Sequence, residues 1–151
     1  KAFIGRRQQH FNFSAQVLLD FEPMHDGEEA GLCVMCRDTY HYEIAVTRQE
    51  GHKKIILRKR VEDITVVTYE EAIPQGSVIL RIEGSPHEYS FLYACNDGDF
   101  EMAGSGATKL LSGELAEIWT GNYIGMYATG NGRKSSVPAD FDWFDYAPAE
   151  E

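Results

Sequence analysis

Cys33 and Cys36 form a C-x-x-C, a spacing that elsewhere holds zinc or runs thiol–disulfide exchange. Here the pair lies in the apolar run from Leu32 to Cys36, which reads as a strand. Positions i and i+3 of a strand point to opposite faces, so two ligands do not converge. Both cysteines, and Cys95 in a later strand, read as buried structural thiols. His10, His25, His41, His52 and His87 are scattered, with no H-E-x-x-H and no paired spacing for a metal. Carboxylates are so numerous that their abundance is no evidence for paired acid–base chemistry, and the strand motifs E-x-D-x-x-E and E-x-D-x-E are absent. There is no G-x-S-x-G elbow, P-loop or dinucleotide fingerprint.

Two candidate sites survive. Asp140 and Asp142 alternate along a strand, so they share a face. With backbone carbonyls they could give oxygen ligands to a structural Ca²⁺, with Asp142 as the candidate ligand. The plainer alternative is a pair of exposed alternates on a strand that packs through Phe141 and Trp143. No other cofactor is expected. The second candidate is aromatic. Eight Tyr, eight Phe and two Trp make up 12% of the chain. Flat rings stack on the apolar faces of sugars while amides and guanidiniums read the hydroxyls. Aromatics also suit strands and cores, and most of these read as core. Trp119 differs, because Thr120, Gly121 and Asn122 follow it at once and place it in a loop or at a strand edge.

The elements that position these residues are strands. Phe11, Phe13, Ala15, Val17, Leu19 and Phe21 alternate with polar residues, the period of a half-buried strand. Pro23 to Glu29 reads as a loop before the apolar run to Cys36, and Tyr40, Tyr42, Ile44 and Val46 alternate again. Arg48–His52 reads as a hairpin turn into Lys53–Val61, and "NDG" at Asn96–Gly98 as a tight hairpin. Further strands are expected after Asp63 and over Ser77–Gly84, Tyr89–Asn96, Asp99–Gly104, Tyr123–Gly130 and Phe141–Tyr146. Only Thr108–Ile118 could hold a helical turn or two. About nine short strands with almost no helix predict an all-β, antiparallel β-sandwich.

The 151 residues, 43% hydrophobic, are the size of one domain: a sandwich over residues 1–146 and an acidic tail over 147–151. Net charge is −10, from 24 acidic against 14 basic residues, so nucleic acid and anionic membrane surfaces are poor partners. The cluster Lys53, Lys54, Arg58, Lys59 and Arg60 reads as a solvated strand face. Nothing resembles a signal peptide or a span of about 20 apolar residues. Three cysteines make no disulfide framework. They lean towards a bacterial cytoplasm, with a periplasm left open. The chain begins at Lys1 without Met, which fits an excised fragment.

"FIGRRQQHFNFSAQVLLDFEP", "EEAGLCVMCRDTYHYEIAV", "WTGNYIGMYATGNG" and "PADFDWFDY", in that succession from Phe3 to Tyr146, resemble the C-terminal β-sandwich domain of glycoside hydrolase family 43 enzymes of the β-xylosidase type. The resemblance implies a concanavalin A-like jelly roll packed on a five-bladed β-propeller that carries the catalytic carboxylates, so no catalytic residue is expected in this chain. It further implies that a loop of the sandwich closes over the propeller's pocket, with Trp119 at the position of its walling aromatic. The substrates implied are xylan-derived oligosaccharides. It also implies that an initial strand pair precedes "RRQQH", which would put Arg6, Arg7 and Gln8 inside the domain, near the propeller interface or on the concave face. Two other readings stay open. One is a free-standing carbohydrate-binding module that holds xylo-oligosaccharide through Arg7, Gln9 and Tyr42. The other is an intact sandwich hydrolase with an unfamiliar carboxylate pair.

Overall fold

The strand Phe13–Asp20 shows how the fold begins. Phe13, Ala15, Val17 and Leu19 are buried and the residues between them are half-buried or exposed, as period-2 alternation requires. The computed structural model describes residues 2–8, 12–108, 122–131 and 138–148, and contains eleven strands. They are β1 (Ala2–Arg7), β2 (Phe13–Asp20), β3 (Glu29–Arg37), β4 (Tyr40–Gln49), β5 (His52–Val61), β6 (Ile64–Ala72), β7 (Val78–Gly84), β8 (Glu88–Cys95), β9 (Glu101–Ala107), β10 (Tyr123–Thr129) and β11 (Asp140–Pro148). A six-stranded sheet in the order β1-β10-β3-β4-β5-β6 faces a five-stranded sheet in the order β11-β2-β7-β8-β9. Every pairing is antiparallel. The chain is therefore the expected sandwich, with eleven strands among the described residues where about nine were expected.

One expected hairpin forms with a two-residue turn; at the other a tight turn forms, but β8 and β9 pair only from Tyr93–Glu101, so the connection is longer than a tight hairpin. Glu50 and Gly51 have φ of 53° and 77° between the paired residues Gln49 and His52. Asn96 and Asp97, at 50° and 62°, turn β8 out of its sheet while the Gly98 amide donates to the Cys95 carbonyl. Two successive left-handed residues match the twist of the flanking strands. The core fills the space between the sheets. Leu32, Val34, Tyr42, Ile44, Ile55 and Leu57 face Val17, Leu19, Leu80, Ile82, Phe91 and Tyr93, all buried.

Several expectations need correction. β1 is the outermost strand of its sheet, so Arg6 and Arg7 are exposed rather than interior, and only Gln8 turns inward, half-buried. The basic cluster of β5 is not a solvated face. None of its five side chains is fully exposed, and Arg58 is locked between two buried carboxylates. Tyr42 is 0% exposed, in the core between the sheets, and cannot touch a ligand on a sheet face. The two cysteines of the C-x-x-C do lie on opposite sides of the sheet, but of the three expected buried thiols only Cys33 is buried, on the outer side of the six-stranded sheet; Cys36 and Cys95 are half-buried against the main core.

Candidate functional site

At one end of the sandwich, β9 ends and β10 begins. Tyr42 reaches across the core from β4, packs its ring against Gly106 and donates its hydroxyl to the Ala107 carbonyl at 2.7 Å. A Cβ at Gly106 would stand 2.7 Å from that ring, so only glycine fits. Thr108 then donates its hydroxyl to the Pro86 carbonyl and its amide to the His87 carbonyl. On the β10 side, Asn122 Nδ2 donates to the Tyr89 hydroxyl at 2.7 Å, and that hydroxyl donates to Gln8 Oε1 at 2.8 Å. The Tyr42 and Tyr89 rings meet edge-to-face with centroids 6.3 Å apart. Both ends of the intervening stretch are thus tied to one buried tyrosine pair. Burial pushes both phenols up to about 12, with lesser contributions from neighbouring groups.

The outer side of the six-stranded sheet is the second candidate region, and its cross-strand rows follow from the registers. One row runs Phe3, Tyr127, Gly31, Ala45, Ile56. The next runs Gly5, Gly125, Cys33, Glu43, Arg58, and the third runs Arg7, Tyr123, Met35, His41, Arg60. No side chain fits at Gly125, where a Cβ would stand 2.2 Å from the Ile4 carbonyl oxygen, and the tip of the Phe3 ring occupies the space above Gly5. On this same face a concavity of about 450 Å³ opens. It is lined by Phe3, Cys33, Met35, Asp38, His41, Arg60 and Tyr127.

A charged network lies beside it. Arg58 Nη1 and Nη2 donate to the two Glu29 oxygens at 2.7 and 2.8 Å, and Nη1 also reaches Glu43 Oε1 at 2.9 Å. Both glutamates are 2% exposed. Tyr127 donates its hydroxyl to Glu29, and burial with the nearby Glu29 and Glu43 charges pushes that phenol well above its ordinary range. The hydrogen bonds to Glu29 outweigh burial and hold the Arg58 guanidinium still more firmly protonated. His41 Nε2 stands 3.4 Å from Glu43 Oε1, while its buried Nδ1 has no hydrogen-bond partner among the described residues.

The residues singled out from the sequence do not converge. Trp119 and Gln9 lie outside the described residues, as does the stretch from Lys109 that could hold a helical turn. Arg7 stacks over the Tyr123 ring at 4.8 Å and donates to its hydroxyl at 2.7 Å, while Arg6 lies over the Tyr146 ring at 4.2 Å. Asp140 and Asp142 are exposed. A bulge between Phe141 and Trp143 leaves Asp142 without a cross-strand partner, and Asp140 faces Asp20. Among the described residues no three His, Cys, Asp or Glu side chains gather as a metal site. Sequence reasoning missed Glu29, Glu43 and the Phe3–Tyr127 row. The available signal was the unbroken apolar runs in β3, β4 and β5, which indicate burial on both faces of a sheet.

Comparison with known proteins is consistent across sequence and structure. A 39% identical relative over 146 residues is the non-reducing end α-L-arabinofuranosidase BoGH43B of Bacteroides ovatus, of which the match spans 96% of this chain and 27% of the relative. The xylosidase/arabinosidase 43B of Humicola insolens matches at 24% identity over 99% of this chain and 30% of its own length. Among solved structures, the Bacteroides ovatus xyloglucan-locus GH43B superposes with a TM-score of 0.92 at 38% identity, over 97% of this chain and 29% of that one. The GH43 BlXynB protein of Bacillus licheniformis gives 0.91 at 25% identity, over 99% and 30%. The chain thus spans less than a third of the length of these relatives. The family model of the β-xylosidase C-terminal concanavalin A-like domain matches residues 1–147. With this fold, these relatives and that match, the chain belongs to the C-terminal concanavalin A-like domains of glycoside hydrolase family 43 xylosidase and arabinofuranosidase enzymes.

Proposed function

We propose that this domain is an accessory to hydrolysis: it packs on a β-propeller catalytic domain of the same enzyme and completes the substrate pocket with Trp119. The substrates are short xylan-derived oligosaccharides, and the acid and base are supplied by the propeller. One observation carries the reading. The relatives bear xylosidase or arabinofuranosidase names and are matched over only 27% and 30% of their length, which leaves most of each to another part of the enzyme.

The tyrosine pair supports the same reading. A wall residue is useful only if it is held in place, because a small misplacement of a positioning group is costly to catalysis. Tyr42 holds the Ala107 carbonyl and Tyr89 the Asn122 side chain, on either side of the stretch that contains Trp119. An indole at the mouth of a sugar pocket adds a flat apolar wall and limits the length of substrate that fits.

The test is reconstitution. This chain is mixed with the matching, separately produced propeller, and nitrophenyl xyloside and arabinofuranoside hydrolysis are followed, with Trp119→Ala as the comparison. Activity should rise on mixing, and the variant should blunt the rise by about tenfold or more. A propeller whose activity is indifferent to the chain would overturn the reading. Hydrolysis by the chain alone would point instead to a carboxylate pair within it.

A further inference from the structure

Three polar groups around the concavity have hydrogen-bonding capacity that the described residues leave unused. His41 is 9% exposed, and its Nδ1 is buried without a partner among the described residues. Arg60 uses Nε to reach the Glu62 carbonyl, which leaves its Nη groups without a bond to described residues. The Asp38 carboxylate is exposed and forms no hydrogen bond or ion pair with them. Phe3 and Met35, both half-buried, add apolar surface beside the buried Cys33 and Tyr127. A buried polar atom without a partner is uncommon and calls for an explanation.

We propose that this concavity on the outer face of the six-stranded sheet is a binding subsite for a neutral saccharide, a pentose or a short pentose oligomer. Its volume of about 450 Å³ falls in the range of small-molecule sites, roughly 300–1,000 Å³. The lining supplies an anionic acceptor in Asp38 and cationic donors in Arg60, so it selects no single charge, and the chain's net charge of −10 opposes an anionic ligand. A ligand that suits it needs groups that both donate and accept, together with apolar faces. Sugar hydroxyls donate to Asp38 and accept from Arg60, and ring C–H faces pack on Phe3 and Met35 beside the buried His41. The choice of a pentose rests on the proposed role in pentoside hydrolysis. The shape and polarity of the concavity do not depend on that role.

The test is an amide chemical-shift titration of the 151-residue chain with xylobiose and, separately, L-arabinose. The expected result is saturable shifts at Phe3, Met35, Asp38 and His41, with a Kd of roughly 1–10 mM. Asp38→Ala and Arg60→Ala change exposed or half-exposed positions and should each weaken binding about tenfold, while Arg81→Ala on the opposite sheet should leave it unchanged. Well-dispersed spectra of both variants separate lost binding from lost folding. Absence of shifts up to about 100 mM sugar overturns the proposal. So do shifts confined to the five-stranded sheet, or binding that the two variants leave intact. Protection of these same amides by added propeller, without any response to sugar, would make the concavity a domain interface and also overturn it. The titration uses neither the propeller nor catalysis, so its failure leaves the accessory role standing, and failed reconstitution leaves the titration interpretable.

Discussion

Arg58 and Arg81 sit at comparable places on opposite sheets, each mid-strand and pointing outward, yet their surroundings have little in common. Arg58 is held by Glu29 and Glu43, each 2% exposed, at 2.7–2.9 Å. Arg81 donates from Nε to the neutral Gln16 amide at 2.8 Å, lies over the Phe100 ring at 3.9 Å and stands 3.6 Å from Glu83, whose side chain is 47% exposed. Around Arg58, Cys33, Ala45, Ile56 and Tyr127 form a second buried cluster on the outer side of their sheet. Around Arg81, Ser14, Gln16, Ser90 and Leu92 are half-exposed. The outer side of the five-stranded sheet is an ordinary solvated surface. That of the six-stranded sheet is built like an interior, and a charge there is tolerated only with partners.

The largest expected effect tests that contrast directly. Arg58→Ala leaves two buried carboxylates facing each other without a cation, and should cost about 3–5 kcal/mol in urea unfolding. A cost no larger than that of an exposed arginine would remove the distinction between the faces. Next in size is Gly106→Ala, which forces a methyl group against the Tyr42 ring and should cost about 1–3 kcal/mol by the same measurement.

Removing a hydroxyl while keeping the ring is milder. Tyr42→Phe gives up the bond to Ala107, and Tyr89→Phe the bonds to Gln8 and Asn122, at about 1 kcal/mol per bond lost. The same pair gives a pH signature. Both phenols are raised from 10.0 to about 12 in the folded state, so the folded chain holds these protons more tightly than the unfolded chain. Their contribution is therefore complete below pH 10 and lost as the pH rises towards 12. Thermal melts should fall through that window, and the double Phe variant should fall less steeply. Smallest is Arg81→Ala, expected to change stability by less than about 1 kcal/mol, because its partners are neutral or exposed.

The strands were legible because alternation is local. Phe13 to Leu19 reveal a half-buried strand to anyone counting by twos, and the residues Asn96 to Gly98 mark their own turn. The family was legible for a different reason, the ordered succession of several segments. The candidate sites were not legible. Tyr42 was placed on a ligand-facing surface because its alternation with His41 and Glu43 says that it has a face, but not which one. In a sheet buried on both sides, that question is decided by the partner sheet. The network of Glu29, Glu43 and Arg58 was hidden for a related reason. Its members belong to three strands and meet only through the register that sets Cys33 opposite Glu43 and Glu43 opposite Arg58.

By itself the amino-acid sequence determined an all-β chain of one domain's size, its two tight turns, its acidic balance and its family, because these rest on local periodicity, turn chemistry and linear motif order. Only the tertiary structure decided that Arg6 and Arg7 lie on an outermost strand and that Tyr42 and Tyr89 are the buried ties of a segment's two ends. It also decided that an arginine within a basic run is paired with buried glutamates. Those outcomes depend on which strands become neighbours and which sheet covers which face, and the free energies that settle this come from contacts between residues far apart in the chain.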